Sequence, residues 1–194
     1  MRKLKALWAI IWRASLILAI IAGGLFALRI LLPLILPLMF GSAKDHGNTA
    51  RAQNTAYNLK NAISAYFTEY RKYPLEIRKA DLTTTTGHPL LTILVGNNDP
   101  AAMTYNPGKI AFFSGKAARL KDGRYTRGIE YNEDGPSYLW DSWGNLYHVR
   151  LDTNHDNQID DPEFPGQLLS HSILVWSAGP DGNFSTWDDN VKTW

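Results

Sequence analysis

Two acidic segments contain the side chains whose types and spacing suit metal binding. In the first, over residues 152–163, oxygen ligands recur at the first, third, fifth, seventh, ninth and twelfth positions, the seventh through its backbone carbonyl: Asp152, Asn154, Asp156, Gln158, Asp160 and Glu163. This is the spacing of an EF-hand calcium loop, because Ca²⁺ takes about six to eight oxygens from a short wrapping segment. A solvated turn rich in Asp and Asn is the alternative interpretation.

The sixth position of this segment must turn sharply, and EF-hand loops usually have glycine there. This chain has Asn157 at that position, and among residues other than glycine asparagine tolerates the left-handed backbone conformation well. Residues 146–151 alternate between apolar and polar side chains, so a strand rather than a helix leads into the loop. His155 lies between ligand positions and is expected to face solvent.

The second acidic segment is the loop over residues 179–189, close to the end of the sequence. Its oxygen-bearing side chains are placed to converge on a cation, with loop carbonyls completing the coordination: Asp181, Ser185, Asp188 and Asp189. The alternative is a polar loop that holds no ion. Calcium is therefore the one cofactor that we predict from the sequence.

No pattern typical of a catalytic site accompanies these loops. The five histidines lack ligand spacing with one another, and the sequence has no nucleophile elbow, P-loop or Gly-rich dinucleotide signature. Paired carboxylates serve glycoside hydrolysis, but no long cleft pattern supports a carboxylate hydrolase here. We predict that the protein is not an enzyme.

The distribution of charge argues against a nucleic-acid partner. The chain has 20 Lys plus Arg against 18 Asp plus Glu, a net charge of +2, and it has no cysteine. Six of the basic residues precede Asp45, so the remainder carries fourteen basic against eighteen acidic residues, a net charge of −4. The fold must therefore hold without disulfides, and no nucleic-acid partner is predicted.

A membrane anchor is predicted over residues 14–40. In this stretch Arg29 is the only charged residue, and about 20 apolar residues are enough to cross a bilayer. Residues 1–13 are basic and form a predicted cytoplasmic tail. The stretch exceeds the roughly 7–15 residues of a signal-peptide core, which favours a retained anchor over a cleaved signal. We expect a single-pass protein of the cytoplasmic (inner) membrane with a periplasmic or other extracytoplasmic domain.

The position of Arg29 allows two spans. A span over residues 7–28 leaves Arg29 at the outer interface, whereas a span over residues 14–35 makes it snorkel or meet a partner helix. The first span avoids the cost of a charged side chain at the bilayer centre.

An amphipathic helix is predicted over residues 41–74, ending at Tyr73-Pro74 because the residue before proline leaves the α region. Its apolar stripe recurs at three- and four-residue spacing: Ala52, Ala56, Leu59, Ile63, Tyr66 and Tyr70. Residues 109–114, 146–151 and 173–176 are predicted strands, and residues 90–95 are either a helix or a strand. The predicted fold class is α+β, with the helix packed on a small antiparallel sheet over the domain of residues 75–194.

Three motifs, in the same order, resemble the major pseudopilin of type II secretion, the G protein of the general secretion pathway. They are the helix that ends at Tyr73-Pro74, the element Asp141-Ser142-Trp143-Gly144-Asn145-Leu146-Tyr147, and the loop Gly179-Pro180-Asp181-Gly182 followed by Asp188-Asp189 and Trp194. The resemblance extends piecewise over about residues 37–194 and is loose over residues 83–138.

The resemblance implies a pilin-like fold, in which a long N-terminal transmembrane and amphipathic helix packs on a small antiparallel sheet. It also implies a calcium ion held by Asp181, Asp188 and either Asp189 or Ser185. The implied partners are the lipid bilayer and other pseudopilins or secretion-system subunits, with homo-oligomers formed through helix packing. The alternative function is a monomeric membrane-tethered binding module that uses exposed tryptophans: Trp140, Trp143 and Trp187.

The N-terminus departs from the pseudopilin pattern. Pseudopilins are cut after a glycine and carry a glutamate five residues later. Matching Pro37 to the family's helix-kink proline puts Ser15 at the glycine, Leu16 at the usual phenylalanine and Ile20 at the glutamate. We therefore predict that no prepilin peptidase processes this chain and that it keeps its basic tail.

Overall fold

The computed structural model describes residue 29 and residues 45–75, 80–87 and 89–194. The chain divides into two compact units, Met1–His46 and Gly47–Trp194. In the first unit the described residues, 29, 45 and 46, are helical. The second unit contains every strand and candidate site discussed below.

The first described helix, α1, covers residues 45–70. Five residues of the apolar stripe are buried, with exposed fractions of at most 1%: Ala52, Ala56, Leu59, Ile63 and Tyr66. The helix ends three residues before the predicted Tyr73-Pro74 boundary, because Arg71 adopts a left-handed φ of +54° and its N–H still donates to the carbonyl of Phe67 at 2.8 Å. A left-handed residue of this kind terminates a helix.

Two short helices follow, α2 over Leu90–Val95 and α3 over Pro100–Tyr105. Residues 90–95 are therefore helical and not a strand, and Gly96 stops this helix with a φ of +74°. The side chain of Asp99 accepts a hydrogen bond from the Ala102 N–H at 2.9 Å, which caps the start of α3 where proline has no N–H to satisfy.

The described residues also form ten short strands: β1 Leu82–Thr85, β2 Arg119–Lys121, β3 Arg124–Thr126, β4 Gly128–Asn132, β5 Gly135–Trp140, β6 His148–Leu151, β7 Ile159–Asp160, β8 Leu168–Leu169, β9 Ile173–Ser177 and β10 Val191–Lys192. Strands β1, β6, β9 and β10 form a four-stranded antiparallel sheet in that order. The pairs β2–β3, β4–β5 and β7–β8 form three separate two-stranded sheets.

One hydrophobic core holds the second unit together. It includes the stripe of α1, the apolar residues of α2 and the inward residues of β6 and β9, among them Val149 and Val175. A smaller cluster of Ile159, Leu174 and Trp176 lies on the other face of β9. Strand β9 is buried along its whole length, and it therefore reads as an uninterrupted apolar run.

The predicted strand over residues 109–114 is wrong. Lys109 has a φ of +50°, and the Phe113 N–H donates to the carbonyl of Leu94 at 2.9 Å instead of to a strand. Asn106 holds this segment against α2, because its Nδ2 donates to the carbonyls of Ile93 and Ile110, both at 2.8 Å. Phe112 and Phe113 pack on the core without forming a ladder.

The predicted fold class, a pilin-like long N-terminal helix packed on one small sheet, is also wrong. Over the described residues the strands form four small sheets instead of one, and no helix among these residues is both long and apolar. Residues with positive φ, among them Asp122, Gly123 and Gly135, reverse the chain between β2 and β3 and between β4 and β5, so these strands pair with their neighbours in sequence as separate hairpins. The apolar pattern predicted the helical period but not where the chain reverses.

The predicted tail over residues 1–13 and the predicted anchor over residues 14–40 lie outside the described residues, apart from Arg29, which is helical and exposed. Among the residues that are described, none of the helices combines the length and the apolar character that crossing a membrane requires.

Candidate metal centre

The first half of the acidic loop over residues 152–163 folds around Asp152. This carboxylate is 2% exposed and follows β6 directly. Its Oδ1 accepts from the Asp156 N–H at 3.1 Å, and its Oδ2 accepts from the Asn157 N–H at 2.9 Å. The Gln158 N–H donates to Asp156 Oδ1 at 2.9 Å. The backbone donors therefore turn the carboxylates of positions 1 and 5 toward the inside of the turn.

The sharp turn expected at the sixth position is confirmed. Asn157 has a φ of +61°, and His155 has the same value, so two left-handed residues wind the loop. The His155 ring is exposed, as expected, but it also stacks on Tyr73 with ring centroids 5.7 Å apart and an interplanar angle of 16°. The loop is therefore held against the segment that follows α1.

Asp81 joins this loop from a distant part of the chain. Strand β1 pairs with β6 in the register Leu82 to Leu151, so the residue before β1 lies beside Asp152. The Thr153 hydroxyl donates to the carbonyl of Ala80, which secures the same junction. Sequence reasoning missed Asp81 because 71 residues separate it from Asp152 and only the register of the sheet brings the two together.

One oxygen of the Asp81 carboxylate has no hydrogen-bond partner among the described residues. This oxygen, Oδ1, is buried. Burial raises the pKa of Asp81, and the negative charges of Asp152 and Asp156 raise it further, against an opposing effect of Arg150. Burial and repulsion both raise the pKa because each destabilises the ionised carboxylate. A divalent cation among these three carboxylates would remove the repulsion.

In the second half of the predicted loop, the carboxylate of Glu163 is engaged elsewhere. The Glu163 carboxylate pairs with the Lys192 ammonium, and Asp160 belongs to β7, where its carbonyl accepts from Arg150 Nη1 at 2.7 Å. Asn154 donates its amide to Asp156 Oδ2 at 2.9 Å, and Gln158 is exposed. Within residues 45–75, 80–87 and 89–194, no three Asp, Glu or His side chains stand at metal-binding geometry.

The loop over residues 179–189 is organised by its own hydrogen bonds. Asp181 Oδ1 accepts from the Asn183 N–H at 2.7 Å, and Oδ2 accepts from the Thr186 hydroxyl. These bonds lower the pKa of the exposed Asp181, and the bond from Thr186 has the larger effect. Ser185 and Asp188 are exposed, and Asp189 is half-buried. The ionised form of Asp181 thus already has partners, in contrast to Asp81.

A buried carboxylate, Asp141, connects the loop over residues 179–189 to the rest of the unit. It is 1% exposed, and its Oδ1 accepts from the N–H groups of Trp143, Gly144 and Asn145, all at 2.8 Å. Its Oδ2 accepts from the Ser177 hydroxyl at 2.9 Å and from Asn145 Nδ2 at 3.2 Å. Burial raises the pKa of Asp141, and the hydrogen bonds from Asn145, Trp143 and Ser177 oppose that shift.

The same element reaches both α1 and the last loop. Asn145 Nδ2 also donates to the carbonyl of Gly179 at 2.7 Å, while the Ser142 hydroxyl donates to the carbonyl of Asn48 at 2.8 Å. Tyr147 donates its hydroxyl to the carbonyl of Ala52 at 3.2 Å. The turn around Asp141 is therefore the junction between α1, β9 and the loop over residues 179–189.

Gly179 marks the closest backbone approach at this junction. It has a φ of +65°, and a Cβ built on it would lie 2.2 Å from the carbonyl oxygen of Asp189. We expect Gly179→Ala to destabilise the protein by more than about 2 kcal/mol, because a clash with backbone adds to the strain of a left-handed alanine. Thermal unfolding of the full-length protein in detergent measures this effect.

Gly182→Ala is the matched control for that variant. Gly182 also has a left-handed φ, +71°, but the nearest heavy atom to its added Cβ is Asn145 Oδ1 at 3.4 Å. Strain alone should cost it about 1 kcal/mol. Equal losses at the two positions would show that the contact with Asp189 does not limit Gly179.

Comparisons with protein-family models, with curated proteins and with solved structures found no match for this chain.

Proposed function

We propose that this protein is a membrane-anchored structural subunit of a type II secretion or type IV pilus-like assembly, with a calcium ion stabilising its extracytoplasmic domain. Its N-terminus is assigned to the cytoplasm, and its role is assembly rather than catalytic turnover. The proposal takes the assembly role from the three motifs that resemble the pseudopilin family. It does not include the pilin-like fold, because the described residues do not adopt it.

The observation that supports the proposal most directly is the junction around Asp141. The three resembling motifs are far apart in the sequence, yet they contact one another there: Tyr147 and Ser142 bond to α1, and Asn145 bonds to Gly179. Polar groups whose hydrogen bonds are all made within the chain stabilise the structure of a subunit and are not available to react with a substrate. The motifs therefore support a structural role.

The calcium part of the proposal rests on the three carboxylates of Asp81, Asp152 and Asp156. They offer hard oxygen ligands from two segments, and calcium would have to draw them together, because the described carboxylates do not stand at metal-binding geometry. The Oδ1 atom of Asp81 is buried without a partner among the described residues, and burial, followed by repulsion from the other two carboxylates, raises the pKa of Asp81. Calcium would neutralise this cluster and tie β1 to the loop after β6.

Cross-linking of the full-length protein in native membranes tests the assembly role. The chain has no cysteine, so Tyr57→Cys gives a single labelling point on α1, where the side chain is 45% exposed. A photoreactive maleimide at this position should give a ladder of oligomers, because each subunit contacts the next through its helix. Leu168→Cys, at a 60% exposed side chain of β8, is the control and should give no ladder.

Three results would contradict assembly. A Tyr57→Cys protein that stays monomeric under illumination contradicts it, and so does a single adduct to a different protein. A ladder of equal intensity from Leu168→Cys would indicate random collision in the membrane.

A monomeric membrane-tethered binding module is the second candidate, and one observation favours it. A positively charged cleft lies beside α1, lined by Arg51, Lys116, Arg119 and Arg127. The tryptophans that the sequence suggested as a binding surface are half-buried; Trp140, for example, donates to Glu130 at 2.8 Å. The cleft is therefore the stronger feature for ligand binding.

A further inference from the structure

The cleft lies between α1 and the segment over residues 113–119, and its volume is about 570 Å³. Small-molecule sites in proteins have volumes of roughly 300–1,000 Å³. Its side walls carry the polar residues Asn54, Thr55 and Asn58 of α1, and Leu139 and Tyr147 contribute to its lining. It is thus a site of ligand size with polar walls.

Four basic side chains converge on this cleft: Arg51, Lys116, Arg119 and Arg127. Among the described residues, none of the four forms an ion pair with a carboxylate. This concentration of positive charge contrasts with the net charge of −4 that residues 45–194 carry. Like charges gathered without counter-ions repel one another, and an anion would relieve that repulsion.

Arg127 is the most constrained of the four. Its Nη2 donates to Asn48 Oδ1 at 2.6 Å, which fixes the plane of the guanidinium. Its Nε is buried and donates no hydrogen bond within the described residues. Burial, and then the charges of Arg51 and Arg119, lower the pKa of Arg127. A buried, unused donor on a fixed guanidinium is the kind of group that an oxyanion satisfies.

The backbone holds the cationic residues at set positions. The Ile129 N–H donates to the carbonyl of Lys116 at 2.9 Å, and the Arg127 N–H donates to the carbonyl of Asp141 at 2.6 Å. Gly128 makes this approach possible, since a Cβ on it would lie 2.3 Å from the Lys116 carbonyl oxygen. The backbone that carries Lys116 and Arg127 is therefore preorganised, which lowers the entropic cost of binding at this side of the cleft.

The one carboxylate in the lining does not neutralise these cations. It belongs to Asp141, and both of its oxygens already accept hydrogen bonds, from three N–H groups, one hydroxyl and one amide. Asp141 thus forms no ion pair with the four cations, and its single negative charge leaves them in excess, so the lining keeps a net positive charge.

We propose that this cleft binds a phosphate group, presented by a small phosphorylated molecule or by the headgroup of an anionic phospholipid. Guanidinium groups hold phosphate through paired N–H donors, and a phosphate that carries up to two negative charges suits several converging cations. The recess is of small-molecule size, so the phosphate is not assigned to a nucleic acid. The proposal is independent of the calcium site.

Binding of inorganic phosphate to the full-length protein in detergent tests the proposal. Thermal unfolding is followed as phosphate is titrated against chloride at constant ionic strength, with EDTA present so that calcium neither contributes nor precipitates. A second titration uses dihexanoyl phosphatidylglycerol, with dihexanoyl phosphatidylcholine as its zwitterionic reference. The expected result is a saturable rise in melting temperature with phosphate, with phosphatidylglycerol, or with both.

Two variants at exposed positions identify the site without disturbing the buried junction. Arg119→Gln and Arg51→Gln should each weaken the apparent affinity about tenfold or more, since each removes a charge-assisted hydrogen bond. Lys121→Gln is the matched control, because Lys121 is an exposed residue of the same strand as Arg119 but does not line the cleft. It should bind as the parent protein does.

The outcomes separate the two sources of phosphate and expose failure. A saturable shift with phosphatidylglycerol but none with inorganic phosphate assigns the phosphate group to a lipid headgroup. A saturable shift with inorganic phosphate but none with phosphatidylglycerol assigns it to a soluble ligand. Equal shifts with chloride, shifts unchanged in Arg119→Gln and Arg51→Gln, or no shift with either probe would overturn the proposal.

Discussion

Replacing Asp141 with alanine is expected to lower the free energy of unfolding by roughly 3–5 kcal/mol, because it leaves a group of buried donors without their acceptor. Five hydrogen bonds end on this carboxylate, and its residue is 1% exposed. A loss of this size removes much of the roughly 5–15 kcal/mol by which a typical domain is stable. Unfolding of the full-length protein in detergent, followed by tryptophan fluorescence, measures it.

Asp141→Asn refines this prediction. The amide oxygen can still accept from the three backbone N–H groups that bond to Oδ1. The amide nitrogen faces the Ser177 hydroxyl, which can turn to accept, and Asn145 Nδ2, which cannot. We therefore expect a loss of about 1–2 kcal/mol, intermediate between the parent protein and the alanine variant.

Asp134→Ala is the control for both variants. Asp134 is exposed, and its hydrogen bonds with Asn132 and Asn97 involve only its backbone, so the loss should stay within about 0.5 kcal/mol. If Asp141→Ala unfolded with the same midpoint as this control, the carboxylate would not organise the junction.

Replacing Asp81 with asparagine is expected to have opposite effects with and without calcium. In EDTA the variant should melt above the parent protein, because it removes a charge that faces Asp152 and Asp156. With calcium in excess the parent should gain roughly 5–10 °C, since about 2.7 kcal/mol is gained at a hundredfold excess over Kd. The variant should lose most of this gain, and differential scanning calorimetry of both proteins gives the comparison.

Asp181→Asn decides between the two acidic loops. Hydrogen bonds from Thr186 and Asn183 already stabilise the ionised form of Asp181. If the calcium ion lies at Asp81, it should stabilise this variant as much as it stabilises the parent protein. Loss of the calcium response in Asp181→Asn but not in Asp81→Asn would move the ion to residues 179–189. Parent melting temperatures that agree in EDTA and in calcium would remove calcium from both loops.

Local patterns predicted the features that depend on near neighbours in the chain. The three- and four-residue spacing from Ala52 to Tyr66 predicted a buried stripe, because a helix repeats every 3.6 residues. The alternation over residues 146–151 and the apolar run over residues 173–176 predicted β6 and β9. The turn at Asn157 followed from the steric tolerance of one residue type.

Features that depend on distant partners escaped prediction. Residues 109–114 have the composition of a strand, but the amide of Asn106 and the carbonyl of Leu94 engage their backbone first. Glu163 has the right spacing for a calcium ligand, but Lys192, 29 residues away, pairs with it. In each case the local sequence shows which groups could form a bond. The partner of each group depends on which segments the fold brings together.

The sequence by itself determined the acidic composition of the two loops, the helical period of α1 and the chemistry that these residues offer to a cation. Only the tertiary structure brought Asp81 beside Asp152, surrounded Asp141 with five donors and gathered four cations around one cleft. The reason is physical: periodicity and residue type act over a few residues, whereas burial and uncompensated charge arise between segments that only folding brings into contact.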